Sequence, residues 1–279
     1  MKLKTACADF TFPLVTHDHA LDLIAMLGVT GVDIGLFHNR SHLQPTDQFQ
    51  NVARSARNLK KKLDERGLKA ADIFLQVADN VESHAINHPQ ASRRKKAALW
   101  YENTIEYAAR CGARHITTPP GVYFSGQSRA ASWSRACDEL AWRVELARRN
   151  SITLGVEAHI GSIAPRPAAA QRLIKAIPGL TLTLDYTHFT HAGIPDRQVE
   201  PLVQHASHFH IRGGAKGRLQ CSYADNTINY KRVLKVMKET GYRGYIGLEY
   251  CWTVWARCNE VDNLSETILF RDFLKTTNL

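Results

Sequence analysis

The sequence predicts a single (β/α)8 TIM barrel, in which eight parallel strands form a closed ring inside a layer of helices. Strand-like apolar segments alternate with helical patterns along the whole chain, which indicates a parallel sheet. Eight such pairs follow one another at a spacing of about 35 residues, and eight is the number that closes this barrel. No stretch rich in proline, glycine or serine divides the 279 residues, so we expect one domain over 1–279.

The predicted strands are short runs of apolar and β-branched residues. In chain order they are KTACADF (4–10), GVDIGLF (31–37), LKAADIFLQV (68–77), RHITTPP (114–120), ITLGVEAHI (152–160), LTLTLDYTH (180–188), SHFHIR (207–212) and YIGLEY (245–250). Helical patterns fill the intervals at 18–28, 48–66, 95–111, 132–149, 168–176, 198–205, 230–240 and 262–275. A glycine that suits the left-handed C-cap position precedes five of the strands, at Gly28, Gly67, Gly112, Gly179 and Gly241.

Composition narrows the classes of protein to consider. Hydrophobic residues make up 44% of the chain, enough for a core. No run of 18 apolar residues and no charged-then-apolar segment at Met1 is present, so we expect neither a membrane span nor secretion. Six cysteines without metal-ligand spacing fit a reduced cytoplasm.

The formal net charge of +10 raises the question of a nucleic-acid partner. The basic clusters at 60–62, 93–96 and 148–149 fall in helical stretches without interleaved aromatic residues. We interpret them as solvated outer helix faces and expect no nucleic-acid partner, because net charge alone reports on solubility and non-specific binding. An anionic substrate such as a sugar acid or sugar phosphate is compatible with this charge.

Acids and imidazoles occupy the ends of the last four predicted strands. Glu157 ends the fifth strand and Asp185 the sixth, while His210 and Glu249 end the seventh and eighth. Their separations of 28, 25 and 39 residues each approximate one strand–helix unit, which predicts equivalent depths on successive strands. The carboxyl ends of barrel strands meet at one mouth, where the active sites of this fold lie.

Three carboxylates and an imidazole at one mouth repel one another or stay unpaired unless a cation neutralises them. Oxygen ligands with one imidazole and no thiolate suit Mn²⁺, Mg²⁺ or Co²⁺ better than a structural zinc. We therefore expect one divalent metal at Glu157, Asp185, His210 and Glu249, with Mn²⁺ first and Mg²⁺, Co²⁺ or Zn²⁺ as alternatives.

The remaining histidines fall into three groups. His159 and His188 lie beside the predicted ligands, where each either faces substrate, supports a ligand or is a loop residue. We expect structural roles for three others: His191, His205 and His208. Six more share no spacing and have no predicted role: His17, His19, His38, His42, His84 and His88.

The ordered set of strand ends resembles a known family. It consists of E-x-H on the fifth strand, D-x-x-H on the sixth, H-x-R on the seventh and G-L-E-Y on the eighth. These motifs are similar to those of the xylose isomerase-like barrels, and more narrowly of the sugar phosphate isomerase/epimerase group that includes the ketose 3-epimerases. The resemblance spans the chain from GVDIGLF onwards, with its specific motifs within 152–250.

The resemblance implies a metal-dependent isomerase or epimerase acting on a small carbohydrate. Glu157, Asp185, His210 and Glu249 are then the ligands of one divalent metal. The two glutamates also transfer protons on opposite faces of the substrate, through a metal-stabilised enediolate. His188 is expected to hydrogen-bond a substrate oxygen.

Two arginines are the remaining candidates for substrate binding. We expect Arg212 or Arg218 to hold a hydroxyl, carboxylate or phosphate of the substrate, with His159 and His188 as the other substrate-binding candidates. The ketose 3-epimerases carry a glutamate where this chain has Ile163, and an arginine where it has Lys216. The exact sugar is therefore left open.

Three alternatives stay open beside the isomerase. The first is a metal-dependent lyase of the same fold, such as a dehydratase, decarboxylase or deglycosidase acting on an oxidised keto-sugar. The second is an abasic-site endonuclease. That family looks trinuclear, with extra histidines on the third and fourth strands, whereas the fourth strand here offers only His115. The third is a binding barrel without catalysis. A homo-oligomer is compatible with Trp252 and Trp255, which either close the pocket or pack a subunit contact.

Overall fold

The computed structural model describes residues 3–78 and 80–277, and its centre is a closed parallel barrel. The strands in chain order are β1 (Lys4–Ala8), β2 (Gly31–Phe37), β3 (Lys69–Gln76), β4 (His115–Thr118), β5 (Thr153–Glu157), β6 (Thr181–Asp185), β7 (Ala206–Ile211), β8 (Gly213–Ala215), β9 (Arg218–Cys221) and β10 (Tyr245–Leu248). The barrel consists of β1–β7 and β10, while β8 and β9 form a separate antiparallel pair. The predicted TIM barrel is confirmed, with β10 as its eighth strand.

The helices in chain order are α1 (His17–Met26), α2 (Pro45–Gln48), α3 (Val52–Asp64), α4 (Ala91–Cys111), α5 (Arg129–Arg149), α6 (Pro167–Ala176), α7 (Tyr186–His191), α8 (Asp196–Val199), α9 (Tyr230–Glu239) and α10 (Asn263–Thr276). Short 3₁₀ segments cover Asp9–Thr11, Glu200–His205 and Trp255–Glu260. All five C-cap glycines have positive φ angles, as predicted. The predicted domain bounds of 1–279 stay a prediction, since Met1, Lys2, Asp79, Asn278 and Leu279 lie outside the described residues.

Two predicted elements have different bounds because of side-chain caps. The helix expected over 48–66 is divided into α2 and α3, since the Asn51 side chain accepts a hydrogen bond from the Arg54 backbone N–H and starts a new helix. The strand expected over 180–188 ends at Asp185, whose Oδ1 accepts the Thr187 N–H at 2.8 Å and starts α7. The residues after Asp185, including His188, are therefore helical.

Strand register sets the level of each candidate ligand in the barrel. Asp185 lies directly opposite His210 in the β6–β7 pairing. Glu157 lies opposite Thr183, two residues before Asp185, and Glu249 lies two residues beyond Gly247, the partner of His210. Because the strands of a closed barrel are tilted and staggered, hydrogen-bonded partners on neighbouring strands are not at equal depth, so these register offsets do not contradict the expected equal depth of Glu157 and Glu249, which stays a prediction.

Below this level, the barrel interior contains buried histidine–carboxylate pairs. His115 Nδ1 lies 2.7 Å from Asp72 Oδ1, and its Nε2 lies 2.7 Å from Ser207 Oγ. Burial lowers the pKa of His115 despite the attraction of Asp72. The neutral ring therefore donates Nδ1–H to the Asp72 carboxylate and accepts the Ser207 hydroxyl. This geometry fixes both the tautomer and the position of the ring.

Asp72→Ala is expected to lower the free energy of unfolding by about 3 kcal/mol at pH 7.5, since it leaves a buried N–H without its charged acceptor. Urea unfolding measures this loss. The control is Asp22→Ala, which removes a half-exposed partner of Arg66 and should cost less than about 1 kcal/mol. Equal losses in the two variants would contradict the assignment.

The same pair predicts acid sensitivity of the wild-type fold. Asp72 is buried, but its contacts with His115 lower its pKa, so its stabilisation is lost as pH falls through the folded pKa. The pKa of His115 is also lowered, so the unfolded chain takes up that proton first as pH falls below the usual histidine range. Both groups therefore make the barrel less stable on acidification.

Candidate active site

Four side chains from β5, β6, β7 and the end of β10 converge inside the mouth of the barrel. His210 Nδ1 lies 3.2 Å from Glu157 Oε1 and 3.4 Å from Glu249 Oε2. Asp185 joins them through Arg212, whose Nη2 lies 2.6 Å from Asp185 Oδ2 and 3.4 Å from Glu249 Oε2. All five side chains are buried. The structure thus brings together the four predicted metal ligands, whose roles stay predictions.

The three carboxylates differ in how easily they ionise. Burial opposes the charge on Glu157, but the hydrogen bond from His210 and the nearby imidazoles outweigh it and lower its pKa. Burial also opposes the charge on Asp185, yet Arg212 brings its pKa to about 2. At Glu249 burial prevails over the attraction of His210 and Arg212 and raises the pKa to about 7. Near neutral pH, Glu157 and Asp185 are therefore ionised while Glu249 is poised between its two protonation states.

The two imidazoles of the cluster differ as well. Burial disfavours the charged form of His210, but Glu249 and Glu157 attract its proton and raise its pKa to about 10. His188 lies farther from its carboxylates, at 3.7 Å from both Glu157 Oε2 and Asp185 Oδ2. Burial there lowers the pKa to about 4. His188 is therefore neutral and available for a hydrogen bond, and its helical position in α7 aims it back at the ends of β5 and β6.

The remaining predicted substrate residues occupy different surroundings. His159 is buried with its ring 5.7 Å from that of His188, and its Nδ1 lies 2.5 Å from the Ile160 carbonyl. Arg212 is buried in the cluster itself. Arg218 is half-exposed on β9 and pairs with Asp225 at 3.0 Å, so the structure does not bring it into the cluster.

Sequence reasoning missed two groups next to His210. Asp33 of β2 is fully buried, with Oδ2 3.0 Å from His208 Nε2 and 3.9 Å from His210 Nε2. Its signal was a lone acid inside the apolar run GVDIGLF. Phe74 of β3 stacks on His210 at a ring distance of 6.1 Å and contacts Phe37 edge-on. Phe74 therefore packs on the His210 ring from β3, and Asp33 places a carboxylate beside it from β2.

The donor groups fit a divalent metal. Single ligand atoms of Glu157, His210 and Glu249 lie within 4.8 Å of one another, and the same holds for Glu157, Asp185 and His188. Glu249 Oε2 is buried without a hydrogen-bond partner among the described residues, and it lies 3.4 Å from both His210 Nδ1 and Arg212 Nη2. A buried carboxylate oxygen without a hydrogen bond is costly unless a cation or a donor meets it. Carboxylate oxygens with one or two imidazoles suit Mn²⁺ and similar ions.

Comparison with known proteins agrees with this arrangement of strands. The family model described as the xylose isomerase-like TIM barrel matches residues 21–272. The chain belongs to the xylose isomerase-like TIM-barrel family. The resemblance that the strand-end motifs indicated is therefore confirmed. No curated protein matches this sequence.

The solved structures that superpose on this chain come from proteins described as different kinds of enzyme. A D-psicose 3-epimerase from Clostridium cellulolyticum, solved with D-tagatose, superposes with a TM-score of 0.76 at 13% identity over 98% of each chain. A probable 3-DHS dehydratase from Bacillus anthracis gives 0.72 at 13% identity, over 99% of this chain and 100% of the other. A protein from Brucella melitensis described as AP endonuclease, family 2, gives 0.74 at 20% identity, over 97% and 99%. At these identities the similarity shows a shared fold.

Among residues 3–78 and 80–277, no helix of this xylose isomerase-like barrel combines the length and the apolar character needed to cross a membrane.

Proposed function

We propose that this xylose isomerase-like barrel is a divalent-metal-dependent isomerase or epimerase of a sugar or sugar derivative. One observation carries the proposal: two buried glutamates contact the same imidazole, and their surroundings shift their pKa values in opposite directions. The pKa of Glu157 is lowered and that of Glu249 is raised to about 7. When their surroundings lower the pKa of one group and raise that of its neighbour, the first group is suited to act as a base and the second as an acid. Inversion at a carbon, as in an epimerase, uses one group that removes the proton from one face and a second that returns it to the other.

The other residues of the cluster support this division of roles. Ionised Glu157 is suited to accept a proton from a carbon next to a carbonyl, and Glu249 is suited to hold one. Neutral His188 can hydrogen-bond a substrate oxygen, and His159 lies beside it. Arg212 keeps Asp185 ionised and adds positive charge where oxygen atoms of the substrate gain negative charge.

The metal belongs to the same proposal. Glu157, Asp185, His210 and Glu249 are the proposed ligands, with Mn²⁺ as the first choice. When bound, a divalent cation acts as a Lewis acid on the substrate's carbonyl and hydroxyl oxygens, which makes the neighbouring C–H acidic. Asp33 hydrogen-bonds His208 at 3.0 Å and lies 3.9 Å from His210 Nε2, so it adds negative charge beside the proposed ligand His210.

A lyase acting on a keto-sugar is the second candidate. It shares the removal of a proton next to a carbonyl but needs only one base. The observation in its favour is His159, whose Nε2 is buried without a hydrogen-bond partner among the described residues and which offers an alternative to Glu157 as that single base. Stereochemical change without loss of a group would separate the isomerase from the lyase.

Proton-exchange NMR of keto-sugars in deuterated water, with the full chain and Mn²⁺, tests the proposal. We expect deuterium at the carbon next to the carbonyl, because both candidate reactions begin there. Glu157→Gln should suppress this exchange, while the exposed Glu260→Gln should leave it unchanged. No exchange with any keto-sugar, together with nicking of duplex DNA at an abasic site, would favour the endonuclease instead.

A further inference from the structure

A cavity of about 40 Å³ lies outside the barrel wall, away from the metal cluster. Thr117 Oγ1 bonds Thr183 inside the barrel, so the neighbouring Thr118 faces outwards toward the helix layer. Thr118 and Leu75 line the barrel side of the cavity, and Tyr101 of α4 and Arg143 of α5 line its outer side. Residues between 80 and 86, before α4, complete its lining.

Three residues that line this cavity carry buried polar atoms without hydrogen-bond partners among the described residues. The Arg143 side chain is fully buried, yet its Nε and Nη2 have no hydrogen-bond partner among the described residues. The same is true of Thr118 Oγ1 and His84 Nδ1, which also belong to lining residues. Buried polar groups in folded proteins almost always have partners. Four such atoms around one cavity therefore indicate a ligand with oxygen acceptors.

The orientation of the Arg143 guanidinium indicates which kind of ligand fits. Arg143 Nη1 donates to Glu139 Oε2 at 2.7 Å and to the Glu139 carbonyl at 2.8 Å. The unpartnered Nε and Nη2 form the opposite edge, where two parallel N–H groups match two oxygens of one carboxylate or phosphate. Trp142 packs against the guanidinium at 4.3 Å from its ring centre, which holds that edge in place.

Local charge favours an anion. Glu139 is the only carboxylate paired with Arg143 among the described residues, and it is shared with Arg94, which lies 3.2 Å away. One carboxylate therefore faces two guanidinium groups. Partial burial, together with the cations Lys96 and Arg93, lowers the pKa of His84, a second indication of positive potential. Among the described residues, Glu102 also acts on Arg143, but it is exposed and screened by solvent.

We propose that this cavity is a binding site for a small oxyanion group, held by the Nε–Nη2 edge of Arg143 and the hydroxyl of Thr118. A volume of about 40 Å³ holds about three water-sized spheres, which suits a carboxylate or a phosphate. The group is either a free anion or the acidic end of a metabolite. In both cases it links Thr118 at the end of β4 to Arg143 of α5.

Isothermal titration of the full chain with inorganic phosphate, at ionic strength fixed with sodium chloride, tests this site. We expect saturable binding that is about tenfold weaker in Thr118→Val, which loses one hydrogen bond to a charged group at nearly constant volume. Arg143→Gln should abolish it. The control Arg110→Gln, which removes an exposed arginine paired with Glu106 on α4, should bind like wild type.

Glucose 6-phosphate distinguishes the two sources of the oxyanion. Tighter binding than inorganic phosphate, with the same loss in Thr118→Val, assigns the site to the acidic end of a metabolite; weaker binding assigns it to a free anion. Failure of phosphate to saturate, or equal binding by wild type and Thr118→Val, would overturn the proposal and leave the cavity to water. None of these results depends on turnover, so they are independent of the proposed isomerase.

Discussion

Asp185→Ala is expected to weaken binding of Mn²⁺ at least about 100-fold, more than the loss of a residue that merely supports a ligand. The expected loss is large because Asp185 is buried and stays ionised, since Arg212 brings its pKa to about 2. Metal analysis after dialysis against Mn²⁺, with titration for the affinity, measures it. Turnover should fall with the metal.

Asp185 also caps α7 and pairs with buried Arg212, so the alanine variant loses stability as well. Asp185→Asn separates the two effects, since it keeps an oxygen that can accept from the Thr187 N–H but removes the charge. Asp225→Ala, at an exposed carboxylate paired with Arg218, is the matched control and should retain the metal. A folded Asp185→Asn variant with the metal content of wild type would contradict the proposal that Asp185 is a metal ligand.

The barrel was predictable from sequence because its signals are repeated. Eight apolar strands, each followed by a helix, leave little freedom in topology, and all eight are present. The predicted bounds of the sixth strand were wrong because of one side chain. Asp185 accepts two hydrogen bonds from Thr187, which starts α7 and ends β6 although β-prone residues follow. The β8–β9 pair was missed because Gly213 and Gly214 hide a strand pattern.

Only those residues of the candidate site that lie at the ends of strands could be predicted from the sequence. Glu157, Asp185, His210 and Glu249 could be found because each follows a recognisable strand. Asp33 and Phe74 lie within apolar runs, where nothing in the local pattern marks a contact with His210 that depends on the closed barrel. Arg143 lies in a helix rich in arginine, and its burial follows from the packing of α5 on the barrel wall, which periodicity does not resolve.

The other large effect concerns the two glutamates as proton-transfer groups. Glu157→Gln and Glu249→Gln are each expected to lower kcat by about 10²–10⁴-fold, the usual contribution of a positioned acid or base. KM should change little, because a glutamine of the same shape still occupies the pocket. His188→Asn should instead mainly raise KM, since a neutral imidazole that holds a substrate oxygen contributes to binding.

Steady-state kinetics at saturating Mn²⁺, with metal content measured on the same samples, separates catalysis from ligation. Glu260→Gln is the control, because it makes the same change at an exposed glutamate paired with Arg257. The decisive variant is Glu249→Gln, since the raised pKa of Glu249 singles it out as the proton donor. If that variant keeps its metal and near-normal turnover, Glu249 is a ligand only, and a one-base elimination through Glu157 or His159 becomes the better mechanism.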